Sequence, residues 1–137
     1  MTDPSELANR YVAVWNEADA DLRGEAVAAL WSEDGVQRVQ APLEMRERAA
    51  ALAMNTALEV RGCRELVARV ARAYDEFVAP GEFVFRRRDD VMRVADVVKF
   101  RWEMVRREDG EAAAVGLEFL VLGGDGRIRL DYQFIES

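Results

Sequence analysis

Val98-Lys99-Phe100-Arg101-Trp102-Glu103-Met104, Gly116-Leu117-Glu118-Phe119-Leu120-Val121 and Ile128-Arg129-Leu130-Asp131-Tyr132-Gln133-Phe134 run almost back to back in the last third of the chain. Each alternates apolar with polar side chains at the period of two that sets successive residues on opposite faces of a strand. Glu108-Asp109-Gly110-Glu111 and Gly123-Gly124-Asp125-Gly126 separate them, and a glycine after an aspartate supplies the positive φ of a tight hairpin. The pattern predicts a three-stranded antiparallel meander. One face is expected to collect Phe100, Trp102, Leu117, Phe119, Leu130 and Tyr132, and the other face the charge.

Turn geometry assigns a register to the charged face. With Asp109-Gly110 as a two-residue loop, Arg101 falls opposite Glu118; with Gly124-Asp125 as the next loop, Glu118 falls opposite Asp131. Moving the second loop to Asp125-Gly126 sets Glu118 against Gln133 and leaves Asp131 on the diagonal, so the row survives. Arg101, Glu118 and Asp131 then cross the sheet, with Glu103 on the same strand face as Arg101. Such a row is either a polar site or a ladder of salt-linked pairs on a solvent or subunit face, and the spacing leaves both open.

A chain of 137 residues fits one domain, spanning 1–137, that buries roughly two-thirds of its unfolded surface. Its 26 acidic and 19 basic residues give a net charge of −7, which disfavours nucleic acid or an anionic membrane as partner. The one basic run, Arg86-Arg87-Arg88, is followed at once by Asp89-Asp90 and reads as a solvated strand end. Cys63 is the only cysteine, so no intrachain disulfide forms, and its place at a helix start with no base beside it in sequence marks it as structural. No apolar run approaches the ~18 to 20 residues of a membrane span, and Met-Thr-Asp-Pro is not a basic leader, so a cytoplasmic protein is expected. Histidine is absent, which removes His-based triads and HExxH zinc sites; acid–base chemistry must use carboxylates, tyrosine, lysine or the thiol. Glu103, Glu118 and Asp131 have no metal-ligand spacing, and neither a metal nor another cofactor is expected.

Upstream, Asp3-Pro4-Ser5-Glu6 combines a cap, a first-turn proline and a glutamate, and Leu7, Tyr11, Val14, Trp15 and Ala18 follow at helical spacing. A second short helix carries Val27, Leu30 and Trp31 and is expected to stop at Glu33-Asp34-Gly35, with Gly35 left-handed, before a short strand over Val36–Val39. The composition of Pro42–Leu58 favours a helix. Gly62 opens the most regular helix, with Leu66, Val67, Val70, Ala71, Tyr74, Phe77 and Val78 on one stripe, ended by Pro80-Gly81. Phe83-Val84-Phe85 begins a strand. Helices followed by antiparallel strands imply an α+β fold, with the N-terminal helices packed on one face of a curved, mainly antiparallel sheet. Apolar side chains on the sheet's other face call for a second subunit, so a homodimer is expected.

Arg10-Tyr11-Val12-Ala13-Val14-Trp15-Asn16, Ala28-Ala29-Leu30-Trp31-Ser32-Glu33-Asp34-Gly35-Val36, the Arg61-Gly62 approach to the long helix, and Gly124-Asp125-Gly126-Arg127-Ile128 together resemble the nuclear transport factor 2-like superfamily. Within it the chain is similar to SnoaL-like polyketide cyclases and, more distantly, to ketosteroid isomerases. The resemblance implies a cone-shaped fold around a ligand cavity, which a small hydrophobic or polyketide-like molecule would occupy. By it, Tyr11 and Glu118 stand where the isomerases hold an oxyanion, Asp131, Gln133 and Ile135 where the closing strand lines the cavity, and Asp131 where the cyclases keep an acid–base aspartate. The isomerase's general base corresponds to Val39, with Gln37 and Arg38 before it, and no carboxylate stands there.

Two carboxylates facing each other in a partly apolar pocket cannot both ionise cheaply, so one is expected to keep its proton. The expected chemistry is proton transfer beside a ligand carbonyl: Tyr11 and protonated Glu118 hold the oxygen, Asp131 moves the proton, and Arg101 tunes the charge. Trp15, Trp31, Tyr74, Glu103, Gln133 and Ile135 complete the expected ligand contacts. The competing expectation is a non-catalytic ligand-binding or dimerisation module of the same fold.

Overall fold

The computed structural model describes residues 3–40, 47, 51, 52 and 57–136. Asp3 caps α1 (Pro4–Asn16) by accepting a hydrogen bond from the Ser5 N–H, and Asp19 caps α2 (Ala20–Leu30) by accepting from Asp21 and Leu22. α2 stops before Trp31, which instead begins β1 (Trp31–Gln40). The turn expected at Glu33-Asp34-Gly35 is a bulge inside this strand, across which the pairing with the last strand jumps from Trp31 to Val36. Gly35 is not left-handed. A β-carbon on it would meet the carbonyl oxygens of Ser32 and Ile128 at 3.0 and 3.1 Å, so close backbone approach is what requires glycine here.

Most of the helix expected over Pro42–Leu58 lies outside the described residues, but Ala57 and Leu58 belong to β2 (Ala57–Arg61), antiparallel to β1. α3 (Gly62–Ala73) runs on through one π-helical turn, Tyr74–Val78, and the chain reverses at Gly81 with φ +82°. β3 (Phe83–Arg87) and β4 (Met92–Val94) pair with successive halves of β5 (Val97–Arg106), and β6 (Ala112–Leu122) and β7 (Ile128–Ile135) complete the sheet. The strand order is β2-β1-β7-β6-β5-β3 with β4 beside β5, antiparallel throughout except where β1 runs parallel to β7. Three helices cover one face of this curved sheet, and no described helix is long and apolar enough to cross a membrane.

The register differs from expectation at one hairpin. The β5–β6 connection is wider than two residues, with Arg106 N–H donating to the Glu111 carbonyl, and a bulge opposite Met104 and Val105 shifts the pairing by one. Phe100 therefore lies opposite Glu118, and Arg101 opposite Leu117. A one-residue shift exchanges the faces of a whole strand. The helix-facing side now carries Phe100 and Trp102 together with Glu118 and Asp131, while Leu117, Phe119 and Tyr132 pass to the outer face with Lys99 and Arg101. The alternation was right and the grouping across strands was not, because the sequence does not announce the bulge. The β6–β7 hairpin takes the second of the two loops considered, with Glu118 opposite Gln133 and Leu120 opposite Asp131.

The bulge lets large aromatics and the two acids share one buried side. Tyr11 from α1 packs against Trp15, Trp31 and Phe100 at ring-centre separations of 6.0, 5.5 and 5.6 Å. Trp102 lies across Gly116, where a β-carbon would sit 2.0 Å from its Cζ2. Gly116→Ala should therefore displace the indole and destabilise the fold by about 2–3 kcal/mol, as overpacking does. Chemical denaturation will measure the loss, and combining it with Trp102→Phe should recover part of it.

Candidate functional site

Four elements deliver side chains to the two acids. Glu118 sits in the middle of β6 and is 0 % exposed; Asp131 sits one strand away on β7 and is 1 % exposed. Glu118 Oε1 accepts from Trp102 Nε1 at 2.9 Å and from Gln133 Nε2 at 2.6 Å. Asp131 Oδ2 accepts from the Tyr11 hydroxyl at 2.8 Å and from Gln37 Nε2 at 3.2 Å, and Gln37 Nε2 also approaches the Tyr11 oxygen at 3.2 Å. Arg69, reaching down from α3, ties the two amides together: its Nε donates to Gln37 Oε1 and its Nη2 to Gln133 Oε1. Each glutamine thus has its carbonyl turned to the guanidinium and its NH2 turned to an acid.

The remaining oxygens, Glu118 Oε2 and Asp131 Oδ1, are buried and have no donor as long as both groups are carboxylates. The two carboxyls lie in hydrogen-bonding contact with each other, so one proton held by Glu118 and donated to Asp131 satisfies both. Energetics point the same way. Burial pushes the Glu118 carboxyl well above its ordinary range, the negative charge of Asp131 and the hydrogen bond to it push it further, and the Gln133 and Trp102 donors offset only part. Burial also raises Asp131, but there the hydrogen bonds from Glu118 and Tyr11, the charge of Arg69 and the Gln37 amide all oppose it. The Tyr11 hydroxyl is held well above its usual value by burial and by the nearby acids. Both shifts favour a single proton shared by the pair, with Glu118 the acid pushed further up and Asp131 the one better supplied with donors.

Beside this cluster lies a cavity of about 210 Å³, walled by Tyr11, Trp15, Arg69, Trp102 and Gln133 on the inner side and by Phe77, Phe85, Met104 and Ile135 among others further out. Ile135, 39 % exposed, stands where the wall meets solvent. Neither Glu118 nor Asp131 lines the cavity. They sit behind Tyr11, Trp102 and Gln133, the groups that hydrogen-bond to them. Among the described residues, Tyr11 is the cavity-wall hydroxyl bonded to Asp131, and it would link a ligand to the acids.

No protein-family model matches the sequence, and no curated protein is similar enough in sequence to align with significance. Solved structures are similar in shape. A candidate isomerase of the SnoaL-like family from Agrobacterium tumefaciens superposes with a TM-score of 0.77 at 23 % identity, covering 100 % of both chains. The chain has the SnoaL-like cone fold. A SnoaL-like protein of unknown function from Burkholderia thailandensis gives 0.68 at 14 % identity over 100 % of this chain and 99 % of that one. A candidate polyketide cyclase from Sinorhizobium meliloti gives 0.62 at 15 % identity over 94 % of each.

Within this SnoaL-like cone, Tyr11, Glu118, Asp131 and Gln133 come together, and Trp15 and Ile135 join the cavity wall. Four expected ligand contacts fall elsewhere. Arg101 points from the outer face and pairs with Asp90 and Glu136, a consequence of the β5–β6 bulge. Glu103, on the same face, is held by Arg86 and Arg88, which also accounts for most of the basic run. Trp31 is 1 % exposed in the core beneath Tyr11 and does not reach the cavity. Tyr74 lies away from the cavity under the Arg23 guanidinium, 4.4 Å from its ring centre, where Arg23 caps the end of α1 through the Glu17 carbonyl. Among the described residues, no three His, Cys, Asp or Glu side chains converge to hold a metal.

Gln37, Arg69 and Trp102 were missed as members of the site. For Gln37 the only signal was a polar residue on an otherwise buried strand, and for Arg69 a cation on the flank of the apolar stripe of α3.

The raised Glu118 carboxyl makes stability depend on pH. Its folded-state value lies above the ordinary 4.5, so the folded form binds the proton more tightly than the unfolded form. Its stabilising contribution is complete below the ordinary value and is lost as pH rises through the folded-state value. Glu118→Gln keeps an acceptor for Trp102 and Gln133 and places an N–H toward Asp131, imitating the protonated acid. Its melting temperature should fall less than that of the wild type as pH is raised from about 5 to 9, and the two curves should cross or converge at the acid end.

Proposed function

We propose that this protein takes a small, largely apolar, polyketide-like molecule into the cone and acts as an acid on one of its oxygens, in the manner of a SnoaL-like cyclase or isomerase. The observation that carries the reading is the buried Glu118–Asp131 pair, a setting that favours one shared proton, hydrogen-bonded through Asp131 to a cavity-wall tyrosine. As negative charge develops on a ligand carbonyl seated at Tyr11, the hydroxyl proton moves to that oxygen. Glu118 gives its proton to Asp131 as Asp131 passes one to Tyr11, so the ligand gains one proton, and the pair, left doubly charged at a cost in its buried setting, takes a proton back from product or solvent to complete the cycle. Trp102 and Gln133 already donate to the Glu118 carboxyl, and burial places these donors without reorganisation. Because no carboxylate lines the described cavity wall, the proposal covers the acid half of the reaction and leaves out direct removal of a carbon-bound proton by Asp131.

A second reading, a non-catalytic binding protein, is favoured by one observation: the Tyr11 hydrogen is already committed to Asp131. The two separate cleanly. A ligand found by thermal shift among polyketide-like, steroid-like and lactone compounds will be bound by mass action in either case. If the acid reading holds, Tyr11→Phe and Asp131→Asn should lower turnover by about 10² or more while leaving the dissociation constant within a few-fold. Turnover surviving both substitutions would overturn the proton route through Tyr11, and a ligand bound without turnover by the wild type would leave only the binding reading.

The proposal includes a homodimer built on the outer sheet face. Leu117, Phe119, Tyr132 and Phe134 form an apolar patch there, with Phe119 and Phe134 5.8 Å apart and Phe134 still 42 % exposed. Light scattering should give twice the 15.5 kDa chain mass, and Phe134→Glu should return the single-chain value without loss of fold.

A further inference from the structure

Among the described residues, Arg69 is the one cation on the cavity wall. Its Nε and Nη2 are taken by Gln37 and Gln133, but among the described residues Nη1 has no hydrogen-bond partner and no carboxylate lies within ion-pair distance of the guanidinium. The guanidinium stands over the Trp15 ring at 5.3 Å, held in place from three sides. Trp15 lines the same cavity, is 7 % exposed, and leaves its indole N–H without an acceptor. A buried donor without a partner is costly unless something supplies an acceptor. Apart from the Gln133 amide and the Tyr11 hydroxyl, the rest of the described wall is aromatic and aliphatic.

We propose that the ligand is a ring compound bearing a carboxylate or an equally acidic enol, seated with its anionic oxygen on Arg69 and its ring among Phe77, Phe85, Trp102 and Met104. The inference rests on the ligand-binding reading above and deepens it by naming the ligand class. Size agrees: a cavity of roughly 150 Å³ accepts benzene, so about 210 Å³ takes one ring with a short acidic arm. Charge agrees too. The acid pair holds one proton and one negative charge, which Arg69 feels through the Gln37 and Gln133 amides without contacting either carboxyl, so its remaining donor edge is open to an anion. A neutral ring would fill the space and leave Nη1 of Arg69 unmatched.

The test uses matched pairs: trans-cinnamate and 3-phenylpropionate against their methyl esters, with 1,3-cyclohexanedione as the acidic enol, titrated by calorimetry and by the indole N–H signals in nitrogen-resolved NMR. Wild-type protein should bind the acids about ten- to a hundredfold more tightly than the esters, the contribution of one charge-assisted hydrogen bond. The Trp15 indole signal, assigned through Trp15→Phe, should shift when the acids bind. Arg69→Met should lose the preference and keep ester affinity; should that variant fold poorly, Arg69→Lys must still favour the acids, since it keeps the charge. Esters binding as well as acids to the wild type, or a preference that persists in Arg69→Met, would overturn the ligand class while leaving the binding cavity standing. No binding of either member of any pair would overturn both.

Discussion

One buried proton holds the interior of this fold together. Two carboxyl groups on adjacent strands, neither more than 1 % exposed, are costly to keep charged together at rest in an apolar interior, because each would need solvation that burial has removed. With the proton on Glu118, every oxygen of the pair finds a partner: Trp102 and Gln133 on one acid, Tyr11 and Gln37 on the other, and each acid on its neighbour. The donors come from α1, β1, β5 and β7, and Arg69 from α3 orients both amides. Nearly every major element is thereby tied to one point.

That arrangement explains why the cavity and the acids are adjacent but separate. Tyr11, Trp102 and Gln133 face the acids with their polar atoms and the cavity with their remaining surface. An aromatic series from Phe77 through Phe85 to Trp102, in edge contacts of 6.5 and 5.5 Å, continues the wall outward. The outcome is an apolar chamber whose few polar groups, Tyr11, Arg69 and Gln133, are fixed before any ligand arrives, which is the condition for recognising an oxygen with little loss of ordering entropy.

How much of this was legible in the sequence can be traced residue by residue. The alternation in β5, β6 and β7 was readable because period two needs no tertiary information, and so was the placing of Glu118 and Asp131 as neighbours on one face, which both candidate loops preserve. The membership of Arg101 was misread because one bulged residue reverses a strand's faces, and a bulge leaves no mark in composition. Glu103 followed it to the outer face for the same reason. Trp31 and Tyr74 were placed on the wall from their apolar character, but aromatic side chains of core and cavity look alike in sequence. Gln37 and Arg69 were hard to read as site residues, since they lie 94 and 62 positions from Asp131, and Gln37 reaches that acid, and Arg69 the two amides, only through folding.

By itself the sequence determined the caps of the first two helices, the amphipathic α3, the strand alternation, the α+β class, and the presence of two acids on one sheet face with no histidine to accompany them. These follow from interactions within a few residues of chain, where spacing alone sets what can meet. Tertiary structure decided which face the acids occupy relative to the helices, which amides and indole donate to them, and that Tyr11 stands between them and the cavity. Those outcomes depend on desolvation and on donors arriving from distant strands and helices, quantities that exist only once the chain has closed around its interior.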